Sequence, residues 1–220
     1  MEKKEIQNAI ILDKSGSMSS ISCQAVDSVN EVLGSIRSAA KNDPTIDQIV
    51  TLVAFCGCER KVLIDRKNIN DVENITYGQY RPCCTTPLYD AIGFTIRDIH
   101  KVMGENSAAS VTIITDGYEN SSTEFSGADI KALINSYKEE GWLFAYIGAD
   151  HDVEAVAFNL SIDNTLKFEK TDAGVHEMSD SLTRSMHNWR GQVSCCLEAD
   201  MSPEERKKSL KEKAKDFFKC

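Results

Sequence analysis

Short, almost fully apolar runs alternate along this chain with longer segments whose apolar residues recur at helical spacing. The runs are three to seven residues long and most are rich in β-branched side chains, which is typical of strands that are buried on both faces. They cover residues 6–12, 49–55, 111–114, 142–147 and 166–168. Strands of this kind, separated by helices, predict a doubly wound, mostly parallel α/β sheet with helices on both faces, in a Rossmann-like arrangement.

The segments between these runs supply the helices. Apolar side chains recur at three- and four-residue intervals within 25–36, 88–99, 130–137, 153–158 and 175–189. One connection differs, because the turn-like residues 56–59 separate the second run from a further apolar segment at 62–64. So short a connection indicates a hairpin, and we therefore expect one antiparallel strand at an edge of the sheet.

The last part of the chain has a different composition. We predict a domain over residues 1–195 and a basic amphipathic helix or tail over 196–220. Ser202, Pro203 and Glu205 match a helix start, and Leu210, Ala214 and Phe217 share one face of the segment that follows. That face either packs on the domain or docks on a partner or membrane surface, and the sequence leaves both alternatives open.

Net charge and the absence of long apolar runs exclude several classes of protein. The formal net charge of -9 argues against a general nucleic-acid-binding protein, which carries a basic excess. The first apolar run is too short for a signal-peptide core, and no run is long enough to span a bilayer. We therefore expect a cytoplasmic protein without a membrane span.

The chain contains eight cysteines. In a cytoplasmic protein these are expected to be free thiols, and the Cys-x2-Cys spacing of common zinc sites does not occur. Cys56, Cys58, Cys83 and Cys84 would form a four-thiolate metal site only if the two loops that carry them meet. Buried or surface free thiols are the alternative that the sequence favours.

Oxygen-bearing side chains follow two of the predicted buried strands. Asp13, Ser15 and Ser17 come directly after the first run, and Asp116 follows the run at 111–114. In open parallel sheets the carboxyl ends of strands are where ligands bind, so these side chains are expected to converge. Thr85 or Thr86, just before the helix at 88–99, adds another hydroxyl. Carboxylate and hydroxyl oxygens suit a hard cation such as magnesium, although each segment alone would also fit a helix cap or a turn.

Together the three segments resemble the metal-ion-dependent adhesion site (MIDAS) of von Willebrand factor type A (VWA) domains. The segments are Asp13-Lys-Ser-Gly-Ser-Met-Ser19, Thr86-Pro-Leu-Tyr-Asp-Ala-Ile92 and Ile114-Thr-Asp-Gly117. The likeness spans about residues 5–190 and is closer to bacterial stand-alone members than to secreted adhesion proteins. It departs at Cys83-Cys84, where the family has glycine-rich sequence. Thr86 is chosen over Thr85 because it directly precedes the Pro-Leu sequence.

The resemblance implies a protein-binding module and not an enzyme. Ser15, Ser17 and, in one state, Thr86 would bind Mg²⁺ directly, while Asp13 and Asp116 would act largely through water. Mn²⁺ is a further candidate, and Ca²⁺ is less suitable. An open coordination position would take a Glu or Asp side chain from a partner protein, such as one of an ATPase or kinase-type system.

The alternative function is a metal-dependent hydrolase or phosphotransferase on a Rossmann-like sheet. An aspartate after the first strand can accept a phosphoryl group. Enzymes of the haloacid dehalogenase class that work in this way generally carry Asp-x-Asp there, whereas this chain has Ser15 in place of the second aspartate. No phosphate-binding loop or Gly-x-Ser-x-Gly sequence is present. Of the four histidines only His151, between Asp150 and Asp152, is expected near a cleft, and these two acids are expected to cap a helix.

Overall fold

The computed structural model describes residues 4–149, 152–215 and 217–219. Its centre is a six-stranded sheet. The strands are β1 (Glu5–Asp13), β2 (Asp47–Cys56), β3 (Glu59–Asn68), β4 (Ser107–Thr115), β5 (Leu143–Ala149) and β6 (Asn164–Phe168). They lie in the order β3-β2-β1-β4-β5-β6, and every neighbouring pair is parallel except β2 with β3. This confirms the predicted α/β class and the antiparallel edge hairpin.

Helices cover both faces of the sheet, as the alternating pattern predicts. The helices are α1 (Ser22–Asn42), α2 (Leu88–His100), α3 (Gly127–Glu139), α4 (Val153–Asn159), α5 (Asp172–Glu198) and α6 (Pro203–Lys213). One apolar cluster joins the sheet to α1, α5 and the segment around Phe217, and a second joins it to α2, α3 and α4. Short 3₁₀ segments lie at Gly16–Ile21, Ile69–Asp71 and Phe217–Lys219.

The four inner strands are buried on both faces, whereas the edge strand β3 is mostly exposed. Along β1 the side chains alternate between the two clusters, with Ile10 and Leu12 on one face and Ala9 and Ile11 on the other. Apolar side chains on both faces are what made these strands recognisable in the sequence. Within the described residues, no helix is both long and apolar enough to cross a membrane.

The chain end packs on the domain. A capping box between Ser202 and Glu205 starts α6, as the sequence predicts. Leu210 and Phe217 are 3% exposed and belong to the cluster that contains α1 and α5. Lys207 and Lys211 pair with the acids Glu140 and Glu139 beside α3. Of the two alternatives for this face, the structure therefore shows the packed one.

The predicted division of the chain at residue 195 falls inside α5, which ends at Glu198. Cys196 and Leu197, just after that position, are buried in the same cluster as Leu210. The two-part description of the chain stays a prediction, and the packing places the tail's apolar face within the core.

We expect Leu210→Ala to lower the free energy of unfolding by about 2–5 kcal/mol, because it removes buried methyl groups and leaves a cavity. Urea unfolding followed by circular dichroism measures this difference. Met201→Ala is the matched control, since Met201 lies in the same tail at 36% exposure and its truncation is expected to cost about 0.5 kcal/mol or less. Equal stabilities for the two variants would show that α6 contributes no packing.

Candidate metal centre

The candidate site lies at the switch point of the sheet, between β1 and β4, where the order in which strands are added along the chain changes from one side of β1 to the other. The strands β1 and β4 are adjacent, but α1, which follows β1, packs on one face and α3, which follows β4, packs on the other. The loops after the two strands therefore separate and leave a crevice at their carboxyl ends, which is the usual ligand position in open α/β sheets. The predicted site residues lie in these loops and in the segment before α2.

Asp13, the last residue of β1, is held from two sides. One carboxylate oxygen accepts a hydrogen bond of 2.7 Å from the Ser15 backbone N–H, and the other accepts one of 2.6 Å from the Thr115 hydroxyl. Its side chain is fully buried, and Ser15 is 1% exposed. The Asp13 carboxylate is thereby fixed in one orientation beneath the first loop.

Ser17 and Asp116 join the first loop to the loop after β4. The Ser17 hydroxyl donates to the Asp116 Oδ1 at 2.6 Å and lies 3.1 Å from the Ser15 Oγ. Asp116 is 5% exposed, whereas Ser17 is exposed. Three of the predicted residues thus form a continuous polar contact that opens to solvent at Ser17.

Thr86 reaches the same place from the segment before α2. Its backbone N–H donates to the Asn120 Oδ1 at 2.8 Å, and its carbonyl accepts from the Asn120 N–H at 3.1 Å. A Cβ built on Gly117 would lie 3.7 Å from the Thr86 Oγ1 and 3.5 Å from the Ser17 Oγ, so both hydroxyls border that glycine. The hydroxyl of Thr85 instead faces Gly57 in the hairpin turn. This geometry favours Thr86 over Thr85.

Buried negative charge characterises the site. Burial raises the pKa of the Asp13 carboxyl, and the nearby Asp116 raises it further, while the hydrogen bonds from Thr115 and Ser15 act in the opposite direction. The Tyr80 hydroxyl donates to the Asp13 carbonyl at 2.6 Å, and burial, followed by the charges of Asp13 and Asp116, raises the pKa of Tyr80. A cation is the simplest partner for such a group of oxygens.

The residues present fit a hard divalent cation. The donor set consists of three hydroxyls and two carboxylates, and oxygen is the ligand type that magnesium and calcium require. A positive charge already contacts the site, since the Lys170 ammonium lies 2.6 Å from the Asp116 Oδ2. The metal site itself stays a prediction, and these are the residues that would hold the cation.

Several contacts at the candidate site were not predicted from the sequence. Thr115, Tyr80 and Asn120 fix the positions of Asp13 and Thr86, and Lys170 pairs with Asp116. Thr115 precedes a predicted ligand, and Lys170 closely follows the end of a strand, so strand-end position was the available signal for both. Tyr80 and Asn120 lie within loops whose path only the folded chain defines.

The histidines add little to the described site. His151 and Asp150 lie outside the described residues. Asp152 caps α4 as predicted, accepting a hydrogen bond of 3.0 Å from the Ala155 N–H. His100 ends α2 and packs against Tyr137, with ring centroids 5.1 Å apart. His176 is exposed on α5.

No protein-family model matches the chain, and no curated protein sequence matches it. Solved structures do match. A von Willebrand factor type A protein from Catenulispora acidiphila aligns with a TM-score of 0.57 at 16% identity, over 84% of this chain and 43% of its own. The vWF domain of the type V pili tip protein Mfa5 from Porphyromonas gingivalis gives 0.57 at 11% identity, over 84% and 97%.

Manganese-loaded TRAP protein from Plasmodium vivax aligns with a TM-score of 0.53 at 17% identity, over 79% of this chain and 72% of its own. The chain spans less than half the length of some of the matching structures. These similarities and the sheet topology identify the class as a doubly wound α/β domain. The fold is that of von Willebrand factor type A domains.

We expect Asp13→Asn to raise the melting temperature in the presence of a chelator at neutral pH. The folded-state pKa of Asp13 is raised, so the stability linked to its carboxyl is present below the ordinary aspartate pKa and is lost as pH rises through the folded-state value. Asparagine keeps the shape without the charge, and the difference between the two proteins is therefore expected to shrink on acidification. Thermal unfolding at several pH values measures it.

Asp129→Asn is the control of opposite sign. Hydrogen bonds with Ser126 lower the pKa of Asp129 in the capping box of α3, so its carboxylate adds stability above the ordinary pKa that is lost at low pH. A destabilising effect of Asp13→Asn in chelator at neutral pH would contradict the prediction for the metal centre.

Proposed function

We propose that the chain is a protein-binding module in which Asp13, Ser15, Ser17, Thr86 and Asp116 hold a divalent cation that binds an acidic side chain of a partner. The observation that carries the proposal is the convergence of three separate segments on one group of oxygens. Ser17 contacts both Ser15 and Asp116, and Thr86 borders the same glycine as Ser17. The VWA-like fold supports an interaction role of this kind.

Mg²⁺ or Mn²⁺ fits this set better than Ca²⁺. Calcium takes six to eight oxygens and commonly has a bidentate carboxylate, whereas magnesium accepts few protein ligands and retains waters. Both Asp13 oxygens are already in hydrogen bonds, which disfavours bidentate binding by that residue. The structurally similar TRAP protein is manganese-loaded, which is compatible with the same choice here.

The choice of an acidic partner follows from charge and access. Hydroxyl ligands are neutral, so a cation bound mainly by Ser15, Ser17 and Thr86 keeps much of its positive charge. Ser17 is exposed, and an oxygen from another molecule can therefore approach. A carboxylate is the most common anionic ligand that a protein offers. A neighbour that is a pilus tip protein is compatible with a role in protein interactions.

The hydrolase or phosphotransferase alternative is less well supported. A nucleophilic aspartate needs a free oxygen that faces the substrate, but both oxygens of Asp13 accept hydrogen bonds and its side chain is buried. Ser15 replaces the second carboxylate expected for acid–base work.

We also propose a cytoplasmic setting. There the seven cysteines within the described residues, which form no disulfide with one another, would stay reduced.

Thr86→Val is expected to weaken Mg²⁺ binding by about 10–100-fold, the range that changes near a metal site commonly cause. Calorimetry on the metal-free chain measures the affinity, and circular dichroism checks the fold. Thr85→Val is the matched control, because its hydroxyl faces Gly57 and not the site. Equal weakening by both substitutions, or by neither, would contradict the assigned ligand.

Capture of partner proteins is expected to depend on the metal and on Asp13. The immobilised chain is incubated with cell lysate in Mg²⁺ or in chelator, and the same is done with Asp13→Ala. The same proteins recovered in chelator, or by the variant, would overturn the metal bridge. Turnover of a general phosphatase substrate that requires Asp13 would instead support the enzyme. The ATPase or kinase-type identity of the partner stays a prediction.

A further inference from the structure

Three thiols from two separate loops meet beside the first loop of the candidate metal centre, and a fourth cysteine is adjacent in sequence to one of them. Cys56 ends β2, Cys58 lies in the turn between β2 and β3, and Cys83 and Cys84 lie in the segment before α2. The sulfur atoms of Cys56, Cys58 and Cys83 all lie within 4.8 Å of one another, and those of Cys56 and Cys83 are 3.4 Å apart. The neighbouring thiols of Cys58 and Cys83 raise the pKa of the Cys84 thiol.

The backbone holds these loops together independently of the sulfur atoms. The Gly57 N–H donates to the Thr85 carbonyl at 2.8 Å, and a Cβ at position 57 would overlap the Thr85 hydroxyl, so the turn requires glycine between its two cysteines. Cys84 has a φ of 63°, a left-handed conformation that is uncommon outside glycine. Such conformations persist where the surrounding structure fixes them, and they concentrate at functional sites.

We propose that Cys56, Cys58, Cys83 and Cys84 bind a zinc ion through four thiolates. Zinc prefers tetrahedral sulfur coordination with bonds near 2.3 Å, which places the sulfur atoms about 3.8 Å apart. The separations in the cluster, from 3.4 Å to at most 4.8 Å among three of the thiols, bracket that value. The thiols release their protons to solvent on binding, and the exposed Cys84 side chain would supply the fourth ligand.

The proposed zinc site differs chemically from the MIDAS-like centre next to it. Thiolates are soft ligands that select zinc, whereas the hydroxyls and carboxylates of the first site suit hard cations such as Mg²⁺. Four protein ligands would leave no open position, so the zinc would act structurally and not catalytically.

The surroundings provide positive charge for a thiolate cluster. Lys14, 6% exposed, pairs with Glu59, and its ammonium also interacts with Cys56 and Cys83. Zinc with four thiolates carries two negative charges, which the neighbouring ammonium would partly balance. A disulfide between Cys56 and Cys83 is the competing outcome, but their 3.4 Å separation exceeds the bond length of about 2.05 Å.

Cobalt titration of the reduced, metal-free full chain under anaerobic conditions tests the proposal. We expect thiolate-to-cobalt charge-transfer absorption and the intense visible bands of a tetrahedral ion, saturating at one equivalent and lost on addition of zinc. Cys58→Ser and Cys84→Ser are expected to lose this absorption. Cys23→Ser and Cys195→Ser, at exposed thiols elsewhere, are expected to retain it.

Asp13→Ala separates this proposal from the proposed function. Cobalt at the oxygen site gives no thiolate charge transfer, so the variant is expected to keep the sulfur bands while it loses Mg²⁺ binding. Loss of the sulfur bands in a folded Asp13→Ala variant would show that the two sites are not separate. Retention of Mg²⁺ binding with no sulfur bands in the unmodified chain would overturn the zinc site alone.

Alkylation of the unmodified chain gives a result that does not depend on variant folding. Zinc is expected to protect four of the eight cysteines, namely Cys56, Cys58, Cys83 and Cys84, from a thiol reagent in a mass-spectrometric peptide map. Uniform modification of the accessible cysteines with and without zinc would overturn the proposal. So would a Cys56–Cys83 disulfide that forms in air from a reduced chain that binds no zinc.

Discussion

The parallel pairing of β1 with β4 is the contact on which the candidate metal centre depends. The register sets Leu12 opposite Ile114, so both strands end at the same edge and present Asp13 and Asp116 to one crevice. The Thr115 hydroxyl then bonds to the Asp13 carboxylate and joins the two strand ends directly. Because α1 and α3 leave toward opposite faces, neither helix covers this point. A shift in the register of β1 against β4 would separate Asp13 from Asp116 and would at the same time remove the crevice.

A lysine side chain supplies positive charge at the candidate site. Lys170 comes from the segment between β6 and α5, two strands away from β4, and its ammonium contacts the Asp116 carboxylate. Asp13 has no such lysine contact among its described hydrogen bonds and ion pairs, and burial raises its pKa. The two acids therefore differ in how their charge is balanced. A divalent cation bound between them would supply charge mainly where the protein does not.

Most of the sheet could be predicted from the sequence because strands buried on both faces appear as continuous apolar runs. The convergence of Asp13, Ser15, Ser17 and Asp116 was predictable for the same reason, because parallel strands bring their carboxyl ends to one edge of the sheet. Side chains whose contacts depend on tertiary packing were not predictable. Arg190 is an example. This charged residue follows Trp189 in the sequence but is only 2% exposed, and its guanidinium donates hydrogen bonds to Asn8 and Ser35 within the core. Burial lowers the pKa of Arg190 to about 9.

The meeting of the cysteines at positions 56, 58, 83 and 84 likewise depends on tertiary packing that the sequence does not reveal. The sequence predicts free thiols unless two loops meet, and the spacing of the cysteines does not say that they do. In the structure the loops meet through backbone hydrogen bonds that also reach the first metal loop, because the Cys83 N–H donates to the Lys14 carbonyl at 2.8 Å and the Gly16 N–H donates to the Cys84 carbonyl at 3.0 Å. Thr86 follows two residues after Cys84. An ion or bond that fixes the thiols would therefore also fix the backbone that positions Asp13, Ser15 and Thr86. On this proposal Cys83 and Cys84, at the place where VWA domains have glycine-rich sequence, help to hold the candidate oxygen site in place.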